Sequence, residues 1–524
     1  MMGTKQFDNY ADLITFTRAS GGTALRPISY GSELVTNGTF DSDVSGWVAG
    51  NNSGSISWNN GAGDVENDGT SFNMGVSSGI TLEIGKVYQI SASLISETVS
   101  NSYFSVSSLV NNKTTNTQFG DVLISVGETK TVVFVATIST AYVHIFAQGT
   151  GISTFDNISV KEVLFDQPNA PLTLFNHPTN IPRIEYDADG NRLGLLVEEQ
   201  RTNLFTYSED FSDAVWTKSN TTISTNVATA PDGLLTADKL VKDSGLNGQF
   251  YGGGASVTSG VIYTFSLFAK KGEYDFIKVA GGGAAFGNTG TTVNLNDGSF
   301  TTDGSFVGGV TPVGDGWYKI TASRTSNSTG SGSLVVFCGN DSSVNTLGDG
   351  TSGVYIWGAQ LEAGAFPTSY IPTSGSTATR AADVASITGA DFKKWYRQGE
   401  GSVIIETTGG QAGQNVFGLG SALANSIGAW NFFRVYYNNT LELNVDISPT
   451  GNDRFGIGIK VNNVSVIQDG NVLFTNSSVN VPEVDKLSIG SASPQRGEYA
   501  NGHIKSIKYY PRRLTNAQLV ELTQ

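Results

Sequence analysis

The sequence predicts an all-β protein made of three β-sandwich domains in tandem, the first of them inserted into an N-terminal module. The first reason is composition: 64 of the 524 residues are glycine, 15% are charged and 10% are aromatic. Abundant turn, β-branched and aromatic residues with few helix formers are typical of many short strands. Hydrophobic residues make up 39% of the chain, which is enough to build packed cores and excludes intrinsic disorder.

Alternating apolar and polar residues are the second reason. The run 130–137, Lys-Thr-Val-Val-Phe-Val-Ala-Thr, has the period of a strand. Gly, Asn and Asp interrupt such runs about every ten residues, which is the spacing of turns between short strands. Short strands at that spacing predict β-sandwiches.

An internal repeat is the third reason. Two long stretches share an Asn-led opening, a Phe before a Trp, and then the strand pattern Gly-x-[Val/Ile]-Tyr-x-[Ile/Phe]-Ser. The pattern occurs at Phe40, Trp47 and 85–91, and again at Phe211, Trp216 and 260–266. A repeat of domain length indicates a duplicated domain rather than a solenoid unit.

A third sandwich is predicted after the Ser/Thr-rich bridge 372–379. Its strands include 401–406, 431–437 and 454–460. We expect the chain to end in a short structural helix, because Thr515 is a good N-cap and Gln518 completes a capping box.

Four segments carry a resemblance. Residues 12–20 (DLITFTRAS), 182–187 (PRIEYD), 194–203 (GLLVEEQRTN) and 358–372 (GAQLEAGAFPTSYIP) resemble a module that recurs in fibre and virion structural proteins of tailed bacteriophages. In that module a short segment separates the first two pieces, whereas residues of roughly 30–165 intervene here, as for an inserted domain. The resemblance implies that residues 11–20 and 180–203 pack together.

Two further resemblances concern the sandwiches. The opening 37–41 (NGTFD) with Trp47, and the closing strand 155–160 (FDNISV), resemble carbohydrate-binding-module jelly rolls. The tail 502–518 is similar to the last strand and helix of concanavalin A/laminin-G-like domains. They imply jelly rolls for the first two sandwiches and a concanavalin-like fold for the third.

These observations predict a specific division of the chain. We expect a 1–30 N-terminal strand and virion-attachment segment, an inserted jelly roll at 31–165, a linker at 166–200 that packs with the N-terminal segment, a second jelly roll at 201–372, a linker at 373–398 and the concanavalin-like sandwich at 399–524.

The net charge of the chain limits the kinds of partner that we expect it to bind. The chain has 31 basic and 46 acidic residues, a net charge of −15, which disfavours nucleic acid and anionic lipid. No apolar run reaches the roughly 18 residues of a membrane span, so we expect no membrane insertion. The first 16 residues lack the apolar core of a signal peptide, which favours assembly in the host cytoplasm and a place in the virion.

Catalytic signatures are weak, and we expect no enzyme activity. The three histidines, His144, His177 and His503, have neither metal-ligand spacing nor a neighbouring nucleophile motif, and are expected to be structural. Glu406 and Glu442 each stand alone on a predicted strand, and the adjacent Glu198 and Glu199 point to opposite faces. A glycosidase would need two carboxylates facing one cleft. A pair assembled between chains is the alternative.

A structural calcium ion is the one cofactor that the jelly-roll resemblance implies. Asp41 and Asp156 fall where such domains hold calcium between their first and last strands. The alternative is a turn cap and a surface carboxylate. The second copy has Ser212 and Gly358 at the nearby points, so a calcium site is not expected there.

Sugar recognition requires an exposed aromatic face beside polar groups. Trp58 and Tyr103 are flanked by Ser and Asn and are the candidate glycan contacts. Trp395 with Tyr396 is a third aromatic site in a polar stretch. For each of these the alternative is a core or interdomain position. The remaining candidates belong to repeated or strand-embedded patterns and are assigned to cores: Trp47, Trp216, Trp317 and Trp357.

The sequence therefore predicts a virion structural protein of a tailed phage. We expect a fibre that binds host surface polysaccharide without cleaving it, and that contacts other virion proteins. The resembled fibres are trimeric, which implies a homotrimer. The alternatives are a glycan-degrading tailspike and a purely architectural head or tail decoration protein.

Overall fold

The structure is a computed structural model of the full chain. It describes residues 14–50, 55–69, 75–108, 118–244, 248–304, 306–409, 417–422, 425–429, 432–438, 440–447, 452–491 and 499–524. Residues 1–13 of the predicted N-terminal segment lie outside the described residues.

The described chain is almost entirely β-structure, which confirms the predicted all-β class of β-sandwich domains. The first strands are β1 (Thr15–Thr17), β2 (Gly22–Tyr30), β3 (Val48–Ala49), β4 (Ser55–Trp58), β5 (Gly63–Asn67), β6 (Gly75–Thr81), β7 (Val87–Glu97), β8 (Asn101–Ser107), β9 (Val122–Ile124), β10 (Thr129–Val135), β11 (Thr140–Gln148) and β12 (Gly151–Phe165).

The middle of the chain continues with further strands and one helical turn. They are β13 (Leu172–His177), β14 (Ile184–Tyr186), β15 (Arg192–Val197), β16 (Arg201–Asn203), β17 (Trp216–Ser219), β18 (Thr221–Ala228), β19 (Ala237–Lys242), β20 (Gln249–Val257), β21 (Ile262–Lys270), β22 (Phe276–Gly282), α1 (Gly283–Phe286), β23 (Thr289–Asn294), β24 (Phe300–Thr302), β25 (Val307–Gly314), β26 (Trp317–Thr325), β27 (Gly330–Gly339) and β28 (Gly353–Ala363).

The C-terminal part completes the set of elements. They are β29 (Ala378–Arg380), β30 (Val384–Thr388), α2 (Gly389–Trp395), β31 (Glu400–Thr408), β32 (Phe417–Ala422), β33 (Asn425–Ala429), β34 (Phe432–Tyr437), β35 (Thr440–Asp446), β36 (Arg454–Lys460), β37 (Val464–Gln468), β38 (Asn471–Asn476), β39 (Lys486–Ile489), β40 (Gly502–Tyr510) and α3 (Asn516–Thr523). Within the described residues, no helix is both long and apolar enough to cross a membrane.

The chain divides into two compact units. One is Pro27–Pro171, and the other combines Met1–Arg26 with Leu172–Gln524. The smaller unit encloses the segment 31–165 that the sequence predicts as an inserted jelly roll. Independent folding of that segment stays a prediction.

The smaller unit is a sandwich of two antiparallel sheets. One has the order β10-β7-β12-β5-β4, with β2 pairing the far end of the long strand β12. The other has the order β3-β6-β11-β8-β9. Alternate residues of these strands fill the core between the sheets, where Trp47, Phe104 and Phe155 are buried.

The larger unit contains two more sandwiches. The first pairs a sheet β17-β20-β27-β22-β23-β24 with a sheet β18-β19-β28-β21-β26-β25. The second pairs β1-β30-β39-β32-β33-β34-β35 with β14-β15-β40-β31-β36-β37-β38. We call these the second and third sandwiches, and the smaller unit the first sandwich.

The first two sandwiches have the same strand order. The run β4-β5-β12-β7-β10 corresponds to β18-β19-β28-β21-β26, and β3-β6-β11-β8-β9 corresponds to β17-β20-β27-β22-β23. The repeat predicted from the sequence is therefore a repeat of structure.

The repeated aromatic residues make equivalent hydrogen bonds. Trp47 Nε1 donates to the carbonyl of Asn37 at 3.1 Å, and Trp216 Nε1 donates to that of Tyr207 at 2.9 Å. Both indoles are buried, as are the other two tryptophans that the sequence assigns to cores.

The repeated tyrosines also make equivalent hydrogen bonds. The Tyr88 hydroxyl accepts from the backbone N–H of Glu83 at 2.9 Å, and that of Tyr263 accepts from Thr258 at 3.0 Å. In both cases the donor lies five residues earlier, in the turn before the strand. The tyrosine of the motif therefore holds that turn in place through a hydrogen bond to its hydroxyl group.

The expected linkers are parts of the third sandwich, which corrects their assignment. The segment 373–398 supplies β30, which lies between β1 and β39. The segment 166–200 supplies β14 and β15, of which β14 pairs with β15 and β15 pairs with β40. A sheet edge exposes unpaired backbone groups, and these distant strands satisfy them. A strand partner 369 residues away, as Ala385 is for Phe16 (385 minus 16 is 369), leaves no local sequence pattern.

The C-terminal helix forms as predicted. The Thr515 hydroxyl accepts from the Gln518 N–H at 3.2 Å, and the Gln518 side chain accepts from the Thr515 N–H at 3.0 Å. Leu514 and Leu519 are buried together against Ile404 and Ile467 on the outer face of the third sandwich. The helix thus covers part of that face.

Candidate functional site

Trp58 lies at the end of β4, opposite Gly63 of β5. Its side chain is 46% exposed, so the predicted surface position is confirmed. The indole Nε1 donates to the carbonyl oxygen of Phe40 at 2.7 Å. This bond holds the ring in one orientation, so the exposed indole is already ordered before any ligand arrives.

The two predicted calcium ligands lie at the same end of the first sandwich. Asp41 follows Phe40, whose carbonyl binds Trp58, and the negative charge of Asp41 acts on Asp156. Burial is the larger cause that raises the pKa of Asp156, and the neighbouring Asp41 charge raises it further. The structure therefore places Asp41 close enough to Asp156 for their charges to interact, and next in sequence to the residue that binds Trp58.

These carboxylates supply too few ligands for a calcium ion by themselves. Asp156 already accepts from the backbone N–H of Asn157 at 2.7 Å and from its side-chain amide at 2.9 Å. Calcium takes six to eight oxygen ligands, and the described residues contain no group of three or more His, Cys, Asp or Glu that could hold a metal. The calcium site stays a prediction.

Polar side chains continue from Trp58 along the β4–β5 hairpin. The amide of Asn59 donates to Asp64 at 2.9 Å, and the Thr154 hydroxyl donates to the other oxygen of Asp64 at 2.7 Å. Strand alternation places Asp64 on the opposite face of the hairpin from Trp58, with Asn59 in the turn between them. The rim beside the indole therefore offers the amide of Asn59, whereas the Asp64 carboxylate lies on the other face of the hairpin.

Tyr103 lies elsewhere, on β8 in the other sheet of the first sandwich. Its ring stacks on Phe146 with the centroids 5.3 Å apart, and its hydroxyl donates to Gln148 at 3.0 Å. Two residues further along the same face, the Ser105 hydroxyl is buried and has no hydrogen-bond partner. Tyr103 is half-buried, so the structure does not bring the two aromatic candidates into one site.

Trp395 and Tyr396 belong to a packed aromatic group. Trp395 meets Tyr509 edge-on at 4.9 Å, and Tyr396 stacks on Phe392 at 4.6 Å. The group packs against the core of the third sandwich. The core alternative is therefore confirmed for this pair.

The histidines are held in structural contacts. His144 hydrogen-bonds the Ser107 hydroxyl at 2.9 Å, and His177 is fully buried. Burial, and then the positive charges of Arg26 and other arginines, hold the pKa of His177 well below its usual value. His503 Nε2 lies 2.6 Å from a Glu185 oxygen, and its Nδ1 lies 3.2 Å from the Thr408 carbonyl.

A buried ionic cluster is the largest feature that sequence reasoning missed. Arg18 Nη1 lies 3.1 Å from Asp383, Arg183 Nη1 lies 2.9 Å from Glu198, and Arg183 also pairs closely with Asp383. Arg380 Nη2 lies 3.5 Å from Glu198. All five side chains are almost completely buried. We call these five residues the arginine cluster.

The arginine cluster joins the segments that resemble the phage module. Arg18 comes from the first segment, Arg183 from the second and Glu198 from the third. Ser369, from the fourth, donates its N–H and its hydroxyl to Glu198, each at 2.7 Å. Burial opposes ionisation of Glu198, but the charges of Arg380 and Arg183 and the Ser369 bonds together lower its pKa well below the usual range. Only 15% of the chain is charged, so charged residues within strand-like segments were the feature of the sequence that could have predicted this cluster.

A polar cleft of about 670 Å³ lies on the outer face of the third sandwich, and we call it the β31–β40 cleft. Its lining includes Glu406, Arg454, Asp469, His503 and Lys505. Glu406 Oε1 lies 3.1 Å from Lys505 Nζ and 3.5 Å from Arg454 Nη2. Sequence reasoning treated Glu406 as isolated, because its neighbours come from other strands. Glu442 accepts instead from Asn480 and is not part of this lining.

Comparison with known proteins leaves the chain without an assigned family. No protein-family model matches it, and no curated protein is similar to it. Among solved structures, the N-terminal CBM22-1–CBM22-2 tandem domain of Paenibacillus barcinonensis Xyn10C has 12% identity and a TM-score of 0.21, covering 65% of this chain and 100% of its own. Trypanosoma rangeli sialidase in complex with the inhibitor DANA has 12% identity and a TM-score of 0.21, covering 97% and 98%. Similarity at this level carries no functional argument.

Proposed function

We propose that this protein is a structural component of a tailed-phage virion, a homotrimeric fibre that binds host surface glycans and does not cleave them. The resemblance of four segments to the phage module supports the virion role. Three of the five residues of the arginine cluster come from these segments, and Ser369 of the fourth segment binds Glu198, so these segments are joined to one another in the fold. Other virion proteins are the remaining proposed partners.

Glycan binding rests on one observation: the exposed, hydrogen-bonded indole of Trp58 beside polar groups. A sugar ring packs its C–H face on an aromatic ring while its hydroxyls bind amides and carboxylates. Because Trp58 is held by the Phe40 carbonyl, little side-chain entropy is lost on binding. Each contact is worth about 1 kcal/mol, so linked copies engaging a repeating polymer supply the affinity.

Cleavage is the second candidate function, since Asp41 and Asp156 are two carboxylates whose charges interact in the same sandwich as Trp58. A glycosidase needs one carboxyl that stays protonated and donates its proton to the leaving oxygen. The pKa of Asp156 is raised, but both of its carboxylate oxygens already accept hydrogen bonds from Asn157. The carboxylate of Glu406 is similarly held by two cations. These bonds support binding rather than cleavage.

The test is binding of the full chain to an array of bacterial surface polysaccharides, followed by a reducing-end assay on each polysaccharide that binds. We expect retention of a neutral polysaccharide, no release of reducing ends, and loss of retention in Trp58→Ala but not in Trp395→Phe, whose ring is in a packed group. Time-dependent shortening of the polysaccharide would establish the tailspike alternative.

The trimer and the virion role have their own tests. Light scattering at micromolar concentration is expected to give about three times the chain mass of 55.2 kDa. Retained adsorption of phage that lack the protein would support the purely architectural alternative.

A further inference from the structure

We propose that the β31–β40 cleft is a second saccharide site, which takes one or two neutral sugar rings. This inference rests on the proposed function, because it adds a glycan contact in the third sandwich to the contact at Trp58. It is carried by the shape of the outer sheet face, the fixed charges of the lining and the balance between those charges.

The outer face of the third sandwich is covered over only part of its width. Helix α3 packs Leu514 and Leu519 onto Ile404 and Ile467, which closes the apolar part of the face. The cleft occupies the polar part, beyond the C-terminal end of the helix, where Arg454 Nη1 donates to the Gln524 carbonyl at 2.8 Å. Its volume of about 670 Å³ lies within the range of small-molecule sites.

The polar groups in the cleft are held in place by ion pairs and can still form hydrogen bonds to a ligand. Both contacts of Glu406 with Lys505 and Arg454 fall on the same carboxylate oxygen, Oε1. Burial raises the pKa of Glu406, but the hydrogen bond and charge of Lys505 and the charge of Arg454 outweigh it and lower the pKa. The ionised Oε2 is thus left to accept, and the Lys505 ammonium keeps N–H groups to donate.

A second ion pair, between Glu185 and His503, lies two residues from Lys505 along β40. Glu185 binds His503 through one oxygen and accepts from the Leu25 N–H through the other at 3.3 Å. Burial lowers the pKa of His503, but the hydrogen bond to Glu185 and its charge raise it more strongly. One imidazole nitrogen contacts a Glu185 oxygen and the other contacts the Thr408 carbonyl, so the ring has a fixed orientation.

The balance of positive and negative charges in the cleft lining determines which kind of ligand we expect it to bind. The basic groups of Arg454, Lys505 and His503 are matched by the carboxylates of Glu406, Asp453, Asp469 and Glu185, so no cation is left over for an anionic ligand. Leu193 is the one hydrophobic residue among the described residues that line the cleft, and the other lining side chains carry hydroxyl, amide or charged groups. Hydroxyl groups both donate and accept, and therefore match alternating donors and acceptors.

The experiment titrates the full chain with cellobiose, lactose and N,N′-diacetylchitobiose and follows saturation transfer by NMR. It uses the wild-type protein and Trp58→Ala, so that any binding left in the variant comes from a site other than Trp58. We expect at least one disaccharide to bind Trp58→Ala, and expect Lys505→Gln in that background to weaken it about tenfold, the value of one charge-assisted hydrogen bond.

Lys460→Gln is the matched control, because it removes the same charge from β36 outside the cleft lining. Arg454→Gln is a second cleft variant if Lys505→Gln fails to fold by circular dichroism. Absence of disaccharide binding to Trp58→Ala, equal effects of the cleft and control variants, or preferential binding of galacturonate would overturn the cleft proposal. Failure of wild-type protein to retain any polysaccharide, with disaccharide binding intact, would overturn the proposed function of the Trp58 site alone.

Discussion

The first and second sandwiches have one strand order and two different outer faces. Residue 156 of the first and residue 357 of the second are equivalent, because each precedes a left-handed residue on the last strand, Asn157 with φ 52° and Gly358 with φ 64°. In the first sandwich this position is the partly exposed Asp156. In the second it is Trp357, which is buried against Phe268 and Tyr370.

The difference shows what the repeat encodes. The shared Phe, Trp and Tyr residues build the inside of both sandwiches and lock the same turns. The outer face is free to vary, and the second sandwich uses it to pack aromatic residues and to carry Gln360 and Glu362, both fully buried. We therefore expect substitutions on the outer face to affect stability in the second sandwich far more than in the first.

The largest expected effect comes from the arginine cluster beside that face. Asp383→Asn removes the charged partner of Arg18 and one of the two charged partners of Arg183, and an uncompensated buried charge costs about 3–5 kcal/mol. We expect chemical denaturation to give a free energy of unfolding lower by about that amount. The control is Asp315→Asn, which removes an exposed ion pair with Lys270 worth at most about 1 kcal/mol. Equal effects would mean that the cluster is not a stability element.

The equivalent positions test the comparison directly. Trp357→Ala removes a buried indole that contacts Phe268 and Tyr370, and we expect a loss of about 3–5 kcal/mol in thermal or chemical unfolding. Asp156→Ala changes a partly exposed side chain and is expected to cost less than about 1 kcal/mol. Comparable losses would contradict the distinction between the two faces.

A pH effect is expected from Glu209 in the second sandwich. Burial raises its pKa to about 7, and the Tyr370 hydroxyl, 2.8 Å away, only partly offsets this. Because the folded pKa is above the unfolded value of 4.5, the stability from this group is present below pH 4.5 and is lost as the pH rises through about 7. Glu209→Gln should therefore remove about 1–3 kcal/mol of the decrease in unfolding free energy between pH 5 and pH 8.

The matched variant for Glu209 is Glu66→Gln, which changes an exposed carboxylate of the first sandwich. We expect its pH profile to follow that of the wild-type protein. A Glu209→Gln profile that also follows the wild type would show that Glu209 does not titrate in this interval.

The smallest expected stability effect is at Trp58. Trp58→Ala removes an exposed ring and one hydrogen bond to Phe40, so we expect a loss of about 1 kcal/mol or less. Glycan retention should nevertheless fall sharply, because the proposed stacking face is gone. A large decrease in melting temperature would show that Trp58 is part of the core.

Sequence patterns predicted what depends on neighbouring residues along the chain. The all-β class, the repeat, the buried positions of Trp47 and Trp216 and the capping box at Thr515 all follow from local alternation or short motifs. The exposure of Trp58 was predictable for the same reason, since polar residues flank it on a short strand. Tyr103 was not, because its partners Phe146 and Gln148 come from another strand.

The sequence by itself therefore determined the fold class, the repeated interiors and the C-terminal helix of this protein, because strand period and capping are local properties. Only the tertiary structure decided that β1 pairs with β30, that four distant segments meet in the arginine cluster, and that Glu406 faces Lys505 and Arg454. Ion pairs and sheet edges depend on positions in space, and a buried charge is stable only beside its partner. The partner of Arg18 lies 365 residues away in Asp383, and the folded chain alone brings them together.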